Sequence, residues 1–364
     1  MSVAVLTVSI GLAAGAPAAH AGSFCGWTGG WAPITLQNGW VSEQNVYNSG
    51  DPSYCLEGDG MVYLSGSIAT TPGTAGFYGA YFGQLPLAER PASVIYLSVY
   101  TYNNTYAMLR IDTNGYMYAL DGYGAATGYT SLAGVSFPSS AVQQTGIMPL
   151  QNGWQSAQGS YNTGAPAYSI TSGIVHLSGS LTRPAGTPAD GSSQWAAVIL
   201  PTSALPSDNC FMPLTYTYGG GIGSLPVDSS TGTLSGANAQ YTSLAGISYP
   251  PAPAAWQPLT LLNGSEGPLS WCNTAPSYVI SGNVVYLTGS AYLPAGNGEI
   301  AVLPPAARPA HELYMLVNNY YGSGETTNYL TLRIDPSGAM SIFNPSSTSL
   351  VLPMLAGLSF HTLS

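Results

Sequence analysis

The sequence predicts an all-β protein made of three tandem copies of one sandwich- or barrel-like unit of about 110 residues. Three observations predict it. A set of short motifs recurs three times in the same order. Within each copy the apolar residues alternate with a period of two, not 3.6. The 45 Gly and 28 Pro interrupt the chain too often for long helices.

The first copy opens with Trp31, Pro33 and Thr35, then Leu36-Gln37-Asn38-Gly39-Trp40. The second has Leu150-Gln151-Asn152-Gly153-Trp154, and the third has Trp256, Pro258 and Thr260, then Leu261-Leu262-Asn263-Gly264 followed by Ser265. A Pro-x-Tyr comes next at Pro52/Tyr54, Pro166/Tyr168 and Pro276/Tyr278. A strand signature follows: Val62-Tyr63-Leu64-Ser65-Gly66-Ser67, Val175-His176-Leu177-Ser178-Gly179-Ser180 and Val285-Tyr286-Leu287-Thr288-Gly289-Ser290. Leu-Pro recurs at Leu85-Pro86, Leu200-Pro201 and Leu303-Pro304. It leads to Arg90-Pro91 in the first copy and Arg308-Pro309 in the third, where the second has Leu205-Pro206. Each copy closes on a shared tail, at residues 131–137, 243–249 and 355–360.

These motifs place the copies at residues 31–138, 147–250 (degenerate) and 256–364. Breaker-rich spacers beginning at Pro138-Ser139 and Pro250-Pro251 separate them, and proline makes such spacers semi-rigid. Strand-forming runs fill each copy, for example Val94 to Tyr102. Met108 to Ile111 enters the turn Asp112-Thr113-Asn114-Gly115 and leaves through Tyr116-Met117-Tyr118, a hairpin whose Asn-Gly accepts positive φ. Leu330 to Ile334, Asp335-Pro336-Ser337-Gly338 and Ala339 to Phe343 repeat it.

Apolar residues make up 45% of the 364, and charged residues only 5%. The formal charge is −10, with no Lys and five scattered Arg. Nucleic-acid binding requires clustered basic residues against phosphates, so that class is excluded, as is electrostatic docking on anionic membranes. Residues 1–21 read as a signal peptide: Val3 to Ala14 is apolar but too short to span a bilayer, and Ala19-His20-Ala21 offers small residues at a cleavage site. Residues 22–30 form an N-terminal arm. The expected localisation is secreted, with no membrane insertion. Four cysteines, Cys25, Cys55, Cys210 and Cys272, allow three disulfide connectivities. Cys25 with Cys55 is the nearest pair, leaving Cys210 with Cys272 to link the second copy to the third.

The ordered motifs, from the Trp and Leu-x-Asn-Gly-Trp through Arg-Pro-Ala to the Ser-Leu-x-Gly-x-Ser-Phe tail, resemble the C-terminal β-domains of phage tail fibres and minor tail proteins, especially those of actinobacterial phages. The resemblance covers most of the chain beyond residue 21. It implies a receptor-binding head, of a kind that is often a homotrimer and recognises cell-surface glycans. Two departures shift that expectation: three copies lie in one polypeptide, and an export signal precedes them. A monomer with an internal pseudo-trimer is therefore expected in place of a homotrimer.

Sugars are commonly gripped by aromatic rings and by side chains on loops. The candidate ligand-binding residues are Tyr102, Asn103, Asn104 and Tyr106 in the first copy, and Asn318, Asn319, Tyr320 and Tyr321 in the third. Trp40 and Trp154 recur at one motif position, which packing explains. Arg110 and Arg333 precede a recurring Ile-Asp and are read as structural. No catalytic residue is assigned, since no nucleophile elbow or phosphate loop is present. No metal site is assigned, because His176, His311 and His361 occupy unrelated repeat positions, and no cofactor is implied. The expected function is a secreted, non-enzymatic binding protein for surface or extracellular glycans, lectin- or adhesin-like. The alternatives are a structural or assembly component of a phage tail or surface fibre, and a polysaccharide-active enzyme.

Overall fold

The computed structural model describes residues 25, 30–71, 79–120, 128–183, 196–237, 240–270, 272–294, 298–320, 328–343 and 351–362. The leader at 1–21 and Tyr321 lie outside the described residues. The chain is nearly all β. The α-helical turns Gln44–Tyr47 and Gln158–Tyr161 are four residues each.

A four-stranded antiparallel sheet occurs three times with one topology. In the first segment its order is Ala32–Pro33, Ser53–Leu56, Met61–Ser65, Ser136–Pro138. In the second it is Gly146–Ile147, Ala167–Thr171, Ile174–Ser178, Ser248–Tyr249. In the third it is Gln257–Pro258, Ser277–Ser281, Val284–Thr288, Leu358–His361. A second sheet packs against each. The first segment's has seven strands and is centred on the hairpin Ile95–Thr101 and Thr105–Ile111. The second and third segments have five-stranded counterparts that contain the hairpins Leu214–Thr217 with Gly221–Ser224, at one edge, and Leu313–Asn319 with Asn328–Ile334.

The chain crosses from one sheet to the other at Gly66, Gly179 and Gly289. Each has φ between +84° and +89°, and a Cβ there would collide with the carbonyl of Asp51, Ala165 or Ala275. Only glycine fits such a bend, which accounts for the fifth residue of the strand signature. Hairpin turns are capped as their sequence indicates. Asp112 Oδ1 accepts from Asn114 and Tyr116 N–H, and Asp335 Oδ1 from Ser337 and Ala339 N–H. Arg90 and Arg308 donate through Nε to the carbonyls of Leu85 and Leu303, tying the Arg-Pro motif back onto the Leu-Pro motif. Trp40 and Trp154 are buried core residues.

Each segment has its own core between its two sheets: Val62, Leu97, Leu109 and Phe137 in the first, Val175, Leu234, Ile247 and Tyr249 in the second, Val285, Leu332 and Phe360 in the third. The segments then interlock cyclically. Ala245 of the second enters the first core, Ala356 of the third enters the second, and Ala133 of the first packs on the third. All three alanines occupy the same place in the Leu-Ala-Gly turn of the shared tail. The three central strands face one another across this axis, enclosing a small cavity of about 90 Å³ bordered by Ser98, Tyr100, Thr215, Tyr216, Leu316 and Gly357.

Two seams are tyrosine-rich. Tyr96 stacks on Tyr216 (5.8 Å between centroids, 19° between planes) beside Tyr161 and Tyr241. Tyr314 stacks on Tyr100 (5.4 Å, 20°) beside Tyr47 and Tyr129. Such pairs contribute about 0.5–1.5 kcal/mol each beyond their burial. At the third seam Asn318 stands where Tyr100 and Tyr216 do, and its Nδ2 donates to the Met212 carbonyl at 3.0 Å. The Cys210–Cys272 disulfide staples that seam, while Cys25–Cys55 ties the arm to the first segment. The first and last segments meet through His361, whose Nε2 lies 3.0 Å from Glu57 Oε1.

Candidate functional site

The two ends of the axis differ in chemistry. At one end, the central hairpins of the first and second segments close in short 3-10 turns. Tyr102–Asn104 is a single 3-10 turn between paired Thr101 and Thr105. Asn103 and Asn104 both have left-handed φ, at 57° and 55°, a region Asn tolerates better than most residues. Thr105 Oγ1 donates to the Tyr102 carbonyl at 2.7 Å and lies 2.6 Å from Thr101 Oγ1, which fixes the base of the turn. The second segment repeats the device with Tyr218–Gly220, where Gly219 and Gly220 supply the positive φ. Tyr102 is 46% exposed and Tyr218 52% exposed, and they are the exposed aromatic residues among the described ones.

The expected site residues divide. Tyr102, Asn103 and Asn104 sit together on the first tip, as loop residues. Tyr106 is half-buried, and its ring meets Tyr329 of the third segment edge-on at 5.1 Å. Burial pushes the Tyr329 hydroxyl up to about 12, and the neighbouring Tyr106 and Tyr100 add to it, so that group stays neutral across physiological pH. Asn318 and Asn319 were expected in a loop and are not: they end strand Leu313–Asn319, each 1% exposed. Asn318 is spent on the Met212 carbonyl, and Asn319 Oδ1 accepts from Leu352 N–H at 2.7 Å. The strand runs two residues beyond its apolar stretch because both amides find buried partners, Asn318 across the seam and Asn319 within its own segment. Tyr320 is half-buried against the cluster of Cys210, Cys272 and Met354.

Tyr218 was missed as a site residue, although Tyr100-Thr101-Tyr102 and Tyr216-Thr217-Tyr218 mark equivalent positions. The arginines are engaged inside the fold. Arg333 pairs with Glu312, which also accepts from the Tyr314 hydroxyl. The guanidinium of Arg110 lies over the Tyr118 ring at 4.9 Å, and that of Arg183 over Trp154 at 5.9 Å.

At the other end, the hairpins joining the middle strands of the four-stranded sheets surround a cavity of about 360 Å³. Glu57 and Asp59, from the longer turn of the first segment, line it with Tyr63, Asn283 and Tyr286. Burial pushes both tyrosine hydroxyls well above their ordinary range, and both also interact with Glu57 and Asp59. His176 occupies the equivalent place in the second segment. It is 1% exposed, its Nδ1 lies 2.7 Å from Ser248 Oγ, and burial lowers its pKa to about 3. Two disulfides are formed, and among the described residues no helix is long and apolar enough to cross a membrane.

No family model and no curated protein matches the chain. Among solved structures, the head domain of the lactococcal phage bIL170, described in a study of receptor-binding domains of such phages, is similar to part of it. That match has 20% identity and a TM-score of 0.22, and spans 30% of this chain and 97% of that one.

Proposed function

We propose that the chain is a secreted, non-enzymatic binding protein whose hairpin tips recognise surface or extracellular glycans. The observation that carries this reading is the pair Tyr102 and Tyr218, presented at equivalent tips while the neighbouring tyrosines are consumed in the seams. Tyr gives a large, rigid contact face for two lost side-chain torsions, and Asn gives adaptable hydrogen bonds. A ring of this kind stacks on the apolar C–H face of a sugar, and Asn103 stands beside it to meet hydroxyls. The net charge of −10, with no Lys and with arginines engaged inside, favours neutral over acidic polysaccharides. The leader-like N-terminus and two disulfides fit an oxidising, extracellular setting.

The test is a glycan array together with insoluble cell-wall polysaccharides, probed with the wild-type chain and with Tyr102→Ala/Tyr218→Ala. A specific hit that weakens at least about tenfold in the double variant, equivalent to about 1.4 kcal/mol, supports the reading. A folded chain that binds none of them assigns it instead to a structural or assembly role.

A further inference from the structure

Four metal-type donors meet where the ring of segments closes, and they come from positions that no repeat relates. Cys25 belongs to the arm, Cys55 and Glu57 to the first segment, and His361 to the last strand of the third. One donor atom each of Cys25, Glu57 and His361 lie within 4.8 Å of one another, and Cys55 is bonded to Cys25. Both cysteines are fully buried, and His361 is 2% exposed. Trp31 closes over the His361 ring edge-on at 5.4 Å, and Tyr63 does so from another side at 5.8 Å. In the oxidised chain neither sulfur carries the thiolate that a metal needs.

We propose that the reduced chain binds one zinc ion through the Cys25 and Cys55 thiolates, His361 Nε2 and the Glu57 carboxylate. The donor set is of the kind zinc takes in four-coordinate sites, with bonds of about 2.0–2.3 Å. A dithiol reductant breaks the Cys25–Cys55 bond, leaving two thiols and itself becoming a cyclic disulfide. Zinc then displaces the two thiol protons to solvent. Two thiolates and a carboxylate carry three negative charges, and the ion reduces these to one within a largely buried site. Buried charges are tolerated when they are paired or coordinate a metal.

The same three pieces of chain are thus clasped in either redox state. Outside the cell a disulfide and the His361–Glu57 contact hold the arm, the first segment and the last. In a reducing compartment zinc holds them through the same residues. The site is at the opposite end of the axis from the tyrosine tips and does not depend on the glycan reading. The second disulfide is an internal control. Its nearby carboxylate, Asp208, is already committed to the N–H groups of Cys210 and Gly289 and to Thr288 Oγ1.

The experiment titrates the full chain with Co²⁺ and then Zn²⁺, after reduction with dithiothreitol and anaerobic removal of the reductant. One equivalent of Co²⁺ is expected to give the visible bands of a tetrahedral site and a thiolate-to-cobalt charge-transfer band. Zn²⁺ should then bleach them stoichiometrically, and the oxidised chain should take up none. Cys210→Ser/Cys272→Ser should retain the signal, Cys25→Ser/Cys55→Ser should lose it, and His361→Gln should weaken zinc at least about tenfold. Circular dichroism checks the fold of each variant. The proposal is overturned by absent stoichiometric uptake in a folded reduced wild type, by loss of the signal in Cys210→Ser/Cys272→Ser, or by unchanged affinity in His361→Gln.

Discussion

The Leu-Ala-Gly turns make the cyclic packing open to a graded test. Gly134, Gly246 and Gly357 all have φ between +76° and +81°, so alanine at any of them meets the left-handed penalty of roughly 1–2 kcal/mol. What a new Cβ would touch differs by seam. At Gly134 it meets Met315 Sδ at 2.7 Å, a thioether of the third core whose unbranched chain adapts more easily than a branched one. At Gly246 it runs into Leu97 Cδ2, which is held in the first core. At Gly357 it lies 2.5 Å from Pro213 Cβ, in a ring that has no rotamer to change. Overpacking adds about 1–3 kcal/mol where the neighbour cannot move. The expected losses are therefore about 1–2 kcal/mol for Gly134→Ala and about 2–4 kcal/mol for Gly246→Ala, with Gly357→Ala the most costly. Equilibrium urea unfolding of the three variants, followed by tryptophan fluorescence, measures this. Equal losses at all three sites, or a loss under about 0.5 kcal/mol at Gly357, would refute the idea that the turns interlock the segments.

Two further outcomes follow from the same structure. His176 has a folded pKa of about 3 against about 6.5 unfolded, so the unfolded chain binds the extra proton between those values. Stability should fall as pH drops below about 6.5, by up to about 1.4 kcal/mol per unit. His176→Gln, which keeps one bond to Ser248, should flatten that part of the acid-unfolding curve; an unchanged slope would count against a buried neutral imidazole. The three segments close on one another within one chain, so multi-angle light scattering should give the mass of a single chain, and a stable trimer of chains would contradict closure.

Much of this was legible in the sequence because it depends on local chemistry. The Val-x-Leu-x-Gly signature predicts a strand, and Met61–Ser65 is one, although the positive φ that breaks it at Gly66 was not read from the sequence. Asp at the start of each hairpin predicts its own cap, and Asp112 and Asp335 provide one. Period-two alternation places Tyr96 and Tyr100 on one face, but it does not say that the partners are Tyr216 and Tyr314 of other segments. Asn318 and Asn319 misled for a related reason. A polar pair after an apolar run reads as a loop unless its partners are known, and these lie more than a hundred residues away for Asn318 and 33 away for Asn319. The contact of His361 with Glu57 spans 304 residues and joins non-equivalent positions, so comparing repeat with repeat passes over it.

A homotrimer must satisfy three seams with one set of residues, and any substitution appears in all of them at once. Here the three seams hold stacked tyrosines, a second tyrosine cluster, and an amide with a disulfide. Each can drift and be compensated alone. The same freedom extends to the tips, where Asn103-Asn104 in one segment faces Gly219-Gly220 in another. One gene can therefore vary each segment's turns and seams separately while the shared fold is kept, an independence that identical subunits do not have.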